Sequence, residues 1–154
     1  DGIFNAPDYF LEQGRWGVGG DSHVGVDPFR ELAVLEYSQR LKSERRNVLP
    51  KPNVSSIGAG LYRQALSGGA QALGQRVGAI AAGCRADMVV MNAEDAALVE
   101  HEEDALLDAA IFGPVRQPVR DVMAAGSWVV RDGRHRGEEA ALVRYRAVLN
   151  RLKR

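Results

Sequence analysis

The sequence predicts an α/β protein, and three observations carry that prediction. An apolar run at residues 16–20 ends in a glycine pair and three polar groups, Asp21, Ser22 and His23, as a buried strand does when it opens into a loop. Residues 27–47 follow with helical periodicity behind a cap-and-proline start. From residue 77 the pattern shifts to short β-branched runs separated by glycine turns.

The totals agree with one soluble globular unit. The 154 residues are 45% hydrophobic and 26% charged, enough to bury a core. Lys plus Arg and Asp plus Glu number 20 each, so no charge excess favours nucleic acid or a membrane surface. The basic C-terminal stretch, with Arg144, Arg146, Arg151, Lys153 and Arg154, reads as a solvated helix face. Cys84 is the single cysteine, which fits a reducing, cytoplasmic setting and a structural role. No apolar window reaches membrane-spanning length, and the N-terminus carries no signal region. It also lacks a start methionine, a first hint of a fragment.

Taken in order, residues 1–15 read as a short helix or loop, started at Pro7-Asp8 and stopped near Gly14. Residues 16–20 read as a short buried strand. In residues 27–47, Asp27 caps, Pro28 suits the first turn and Glu31 complements the helix dipole. Phe29, Leu32, Leu35 and Leu41 fall near one face of it, flanked by Val34 and Tyr37, with Arg40, Lys42, Glu44, Arg45 and Arg46 opposite. Pro50 and Pro52 stiffen the next connection. Ser55 or Ser56 caps a further helix that Ser67-Gly68-Gly69 is expected to interrupt, with another turn to Gly74. Strands are expected at 77–80, 87–91, 119–124 and 127–131, a helix at 104–112, a turn at Asp132-Gly133 and a terminal helix at 138–152. Four short strands protect neither both faces nor both edges of a sheet, so the pattern lacks partner strands.

The local motifs are weak alone. Gly17-Val18-Gly19-Gly20 has neither dinucleotide-fingerprint spacing nor a P-loop lysine, and its glycines suit close backbone packing. Consecutive Asp21, Ser22 and His23 do not converge as a triad unless the chain turns. The three histidines, His23, His101 and His135, show no metal-ligand spacing; His101 lies in an acidic run and His135 beside a turn.

In combination they are more specific. Gly19-Gly20-Asp21-Ser22-His23-Val24, then Glu31-Leu32 and Leu35-Glu36-Tyr37-Ser38-Gln39-Arg40-Leu41, resemble the formimidoylglutamate deiminase family of the amidohydrolase superfamily. Gly68-Gly69-Ala70-Gln71-Ala72-Leu73-Gly74, Gly78-Ala79-Ile80-Ala81-Ala82-Gly83 and Arg85-Ala86-Asp87-Met88-Val89-Val90-Met91 resemble the return of such enzymes from barrel to sandwich. Residues 122–133 resemble their final hairpin.

The resemblance implies the C-terminal remnant of a metal-dependent (β/α)8 TIM barrel plus the C-terminal part of a small β-sandwich. Residues 1–75 would hold the last barrel strand and following helices. Residues 76–137 would hold the sandwich part with an inserted helix, and 138–154 the C-terminal helix. A full barrel needs about 250 residues, so the family's H-x-H and the other metal ligands have no counterpart here. Asp21 matches the aspartate ending the last barrel strand, a metal ligand and acid–base group beside a metal-bound water. The metal implied is divalent, zinc, which can lower the pKa of bound water to about 7. Gly20 departs from the serine expected there. The implied reaction converts N-formimino-L-glutamate and water to N-formyl-L-glutamate and ammonia, in histidine breakdown. The implied partner is this small-molecule formimino substrate, the parent a homodimer, and the isolated chain inactive. The runners-up are a fragment of a purine- or pyrimidine-type deaminase and a truncated, non-catalytic product.

Overall fold

The computed structural model describes residues 2–21, 24–49 and 55–153. Five helices and four strands follow in the order α1 (Ala6–Leu11), α2 (Pro28–Ser43), α3 (Ile57–Leu73), β1 (Met88–Met91), α4 (Glu103–Phe112), β2 (Val119–Ala124), β3 (Ser127–Arg131), β4 (Arg134–His135) and α5 (Glu138–Leu152) among the described residues.

The helix starts follow the capping chemistry of the sequence. The Asp27 carboxylate accepts from the backbone N–H groups of Phe29 and Arg30 at the head of α2. Ser56 does the same for Ala59 at the head of α3. Gly74 ends α3 in the left-handed conformation, at φ 62°. Unlike the expected interruption, α3 runs unbroken through Ser67-Gly68-Gly69. Glycine costs a helix interior only about 1 kcal/mol, and contact with residues 16 and 17 holds the turn.

Helices α1 to α4 share one apolar core. Ala6, Phe29, Leu32, Ala33, Leu49, Leu61, Ala65, Leu98, Ala110 and Ile111 are buried together. The α2 stripe turns out to be Phe29, Leu32, Ala33, Glu36 and Gln39, whereas Leu41 is 79% exposed. The core side of this helix therefore includes a carboxylate and an amide. Glu36 accepts from the N–H groups of Val48 and Leu49 at 3.0 and 3.1 Å and pairs with Arg40 at 2.7 Å. Arg40 in turn lies over the rings of Tyr37 and Phe112, so it is not a free solvated charge.

The sheet is an antiparallel meander of order β1-β2-β3-β4. Both of its tight turns have two successive residues at positive φ, Ala125-Gly126 and Asp132-Gly133, the geometry that matches strand twist in short hairpins. Buried Asp121 accepts from the Asp132 N–H at 2.9 Å and from Arg120 at 3.0 Å. Met91 and Val119 lean on the helical core from the sheet. Although α4 falls between β1 and β2 in sequence, it packs on α3 and α2. Asp108 of α4 accepts from the Gly58 N–H in the first turn of α3 at 2.6 Å, and Asp104 pairs with Arg63.

Two expected strands are absent. Residues 16–20 form no strand, and residues 77–80 form an exposed bend with Gly78 at φ 83° and Ile80 90% exposed. Strand character depends on a paired neighbour, and neither segment has one among the described residues.

Candidate active site

The candidate site is built on the segment from Trp16 to Asp27. Its entry is pinned from three directions. Phe10 stacks on Trp16 with centroids 5.3 Å apart. The Tyr9 hydroxyl donates to the Arg15 carbonyl at 2.7 Å, and the Arg15 guanidinium donates to the Gln71 side chain of α3 at 2.9 Å. The Trp16 backbone then crosses α3 directly over Gly68, and Gly17 sits against Gly69. Gly17 and Gly68 thus let two backbones meet; the sequence reading gave such a packing role to Gly17, against neighbouring strands, whereas the neighbour is the helix α3.

Asp21 ends this segment. It is exposed, in a turn, and its backbone has a positive φ of 41°. Aspartate tolerates that conformation better than most residues. Gly20 faces Gly25 and Val26. Asp27 caps α2 immediately afterwards, which fixes the far end of the loop. Val24 and Val26, beside Asp21, are almost fully exposed, an apolar surface without cover.

Ser22 and His23 lie outside the described residues, as do Pro50 and Pro52. The other sequence candidates do not gather at Asp21. His101 is exposed, with Nδ1 3.0 Å from the Val99 carbonyl oxygen. His135 is in β4 and accepts from the Gly137 N–H. Half-buried Cys84 sits in a turn closed by its own N–H to Ala81. No group of three metal-binding side chains forms among the described residues. A single exposed carboxylate does not hold a catalytic metal, so the residues present do not by themselves fit a metal centre.

Carboxylates with shifted pKa values lie elsewhere and are structural. Asp87 is held below its usual range by the Ala125 N–H and then by Arg85. Asp104 is lowered by its hydrogen bond and charge pair with Arg63. Asp121 is lowered by the Asp132 N–H and then by Arg120. Asp95 is lowered chiefly by the Ala97 N–H. The polar residues that the sequence reading missed, Glu36 and Gln39, organise α2 and its exit. Their signal was the spacing 29, 32, 36, 39, a helical stripe that simply contains two polar members.

The chain is 49% identical over 152 residues to formimidoylglutamate deiminase of Pseudomonas aeruginosa. The chain is a partial homologue of that deiminase. The match takes in 99% of this chain and 34% of the relative, so the chain spans about a third of the relative's length. A solved amidohydrolase from Brucella melitensis superposes on 100% of the chain with a TM-score of 0.89 and 36% identity, using 34% of its own length. An adenosine deaminase from Xanthomonas campestris, solved with bound zinc, shares the fold at a TM-score of 0.72 and 23% identity, over 96% of this chain and 34% of its own. No family model matches. The mixed helix and sheet architecture is therefore that of part of an amidohydrolase. Among the described residues no helix is long and apolar enough to cross a membrane.

Proposed function

We propose that the chain is the C-terminal part of a metal-dependent amidohydrolase that hydrolyses N-formimino-L-glutamate to N-formyl-L-glutamate and ammonia. The observation that carries this reading is the 49% identity to formimidoylglutamate deiminase along nearly the whole chain. Surface area supports the fragment reading. The chain exposes 11456 Å², against about 7,600 Å² for a compact monomer of this mass. The excess includes Val24 and Val26 beside Asp21, where the rest of the enzyme would close the site.

On this reading Asp21 supplies one carboxylate, as metal ligand and proton acceptor, to a centre completed by residues outside this chain. The zinc in the adenosine deaminase of the same fold is in keeping with a divalent metal, zinc included. What the chain itself contributes is position: Trp16 and Gly17 lie on α3 and Asp27 caps α2, so the turn bearing Asp21 is tied at both ends. A small diffusible substrate and a lone cysteine suit a cytoplasmic enzyme.

The experiment is an ammonia-release assay on the full-length protein with formiminoglutamate, guanine and cytosine in parallel. Turnover of formiminoglutamate is expected, with Asp21→Asn lowering kcat at least 100-fold at unchanged melting temperature. The 154-residue chain alone should be inactive. Turnover of guanine or cytosine without formiminoglutamate would move the assignment to a nucleobase deaminase. Full activity of Asp21→Asn would remove that residue from the chemistry.

A further inference from the structure

We propose that Gly19 is the positioning residue of Asp21: having no side chain, it leaves the carboxylate its place. The proposal rests on the role of Asp21 as the acting carboxylate. Neither Gly19 nor Gly20 has a backbone φ in the left-handed region, so neither position needs glycine for its conformation. At such a position glycine only adds entropy to the unfolded chain, and a residue with a Cβ would be the more stable choice. Space is the remaining reason for a glycine. The two positions differ in what a side chain would meet. A Cβ on Gly19 would lie 3.4 Å from Oδ1 of Asp21 and 4.0 Å from its Cγ. Apart from the adjoining residues, nothing else among the described residues comes within 4 Å of it. A Cβ on Gly20 would instead meet the Gly25 carbonyl oxygen at 3.6 Å and Val26 at 3.6 and 3.7 Å.

The contact joins residues two apart in one chain, so local backbone sets it, whatever else surrounds the site. A single methyl at 3.4 Å touches the carboxylate without entering its volume. A β-branched side chain fills two of the three staggered positions about the same carbon, and those atoms lie one bond further out. They reach the space that the carboxylate holds, and Asp21 has to turn to another χ1 rotamer. A reacting group displaced by about 1 Å can lose on the order of 100-fold in rate. Gly20, where the family resemblance implies serine, has room for that side chain at ordinary contact distance. The two neighbouring glycines therefore have different roles, and only Gly19 governs where the carboxylate sits.

The test is crystallography and steady-state kinetics of the full-length protein. In Gly19→Val the Asp21 side chain should occupy a different χ1 rotamer from wild type. Its kcat should fall on the order of 100-fold with KM little changed, the split expected when only alignment is lost. Gly19→Ala and Gly20→Ser should keep the wild-type rotamer and a near-wild-type kcat. A wild-type Asp21 rotamer in Gly19→Val would overturn the proposal. So would a kcat loss in Gly20→Ser as large as that in Gly19→Val. If Gly19→Val does not fold, the double variant Gly19→Val with Asp21→Ala decides. Recovery of folding assigns the clash to the Asp21 side chain, and a double variant that also fails to fold overturns the assignment. Kinetics are scored on whichever of formiminoglutamate, guanine and cytosine the wild type turns over, so a different substrate moves only the deiminase reading. The rotamer comparison needs no turnover. Full activity of Asp21→Asn would remove the catalytic reading, and the rotamers would still decide whether Gly19 places the side chain.

Discussion

Gly68 and Gly69 are neighbours in one helix, and alanine should have opposite effects at the two positions. A Cβ on Gly68 would overlap the Trp16 carbonyl oxygen and lie 2.6 Å from its carbonyl carbon and 2.8 Å from its nitrogen. All three are backbone atoms, so no rotamer change relieves the contact. Either α3 or the segment bearing Trp16 must move, at about 1–3 kcal/mol for overpacking of this kind. The gain in helix propensity from Gly→Ala, up to about 1 kcal/mol, offsets part of it. A Cβ on Gly69 meets nothing within 4 Å. There the propensity gain stands alone, and Gly69→Ala should stabilise by about 0.5–1 kcal/mol. The two variants should therefore differ by about 2 kcal/mol, roughly a thirtyfold difference in the folding equilibrium. Urea unfolding of the full-length protein by circular dichroism measures it. Since residue 16 leads directly to Asp21, kcat should fall with Gly68→Ala and hold with Gly69→Ala. Equal stability of the two variants would refute the idea that the segment is seated on α3 by backbone contact.

Removing Glu36 by Glu36→Ala leaves the Val48 and Leu49 N–H groups and the Arg40 guanidinium without their acceptor. A loss of about 2–4 kcal/mol is expected in denaturant melts, and a smaller one for Glu36→Gln, which keeps one oxygen. Asp121 predicts the acid limb of stability. Its folded pKa lies below the ordinary 3.8, so the unfolded chain takes up the proton first. The stabilisation is complete above about pH 4 and is lost as pH falls through the lowered value. Asp121→Asn should lower the melting temperature at pH 7 and flatten its dependence below pH 4; an unchanged acid limb would count against the pair of hairpin contacts.

The sequence was most legible where a segment's structure is decided within itself. Asp27 with Pro28 located the head of α2 to the residue, the choice of Ser55 or Ser56 located that of α3 to within one residue, and Asp132-Gly133 located the last turn. Both capping and tight turns satisfy backbone groups within three or four residues, so nothing distant is needed to read them. The failures, residues 16–20 and 77–80, are apolar runs whose strand identity would come from a neighbour's backbone. Their sequence reports burial, and burial alone does not say against what. Gly68-Gly69 illustrates the same point from the other side: glycines that suggested a helix break are instead the surface that receives Trp16 and Gly17. Glu36 shows where periodicity misleads, since a charged residue on an apolar stripe was assigned to neither face although its spacing belongs with Phe29 and Leu32. Asp21 differs from all of these. Its location follows from local turns, but a lone exposed carboxylate has no chemistry that its own surroundings define. Its assignment came from a motif shared with larger enzymes, and its function can be tested only where the rest of the site is present. The full-length variant Asp21→Asn is therefore the measurement on which the functional reading turns, and the isolated chain cannot substitute for it.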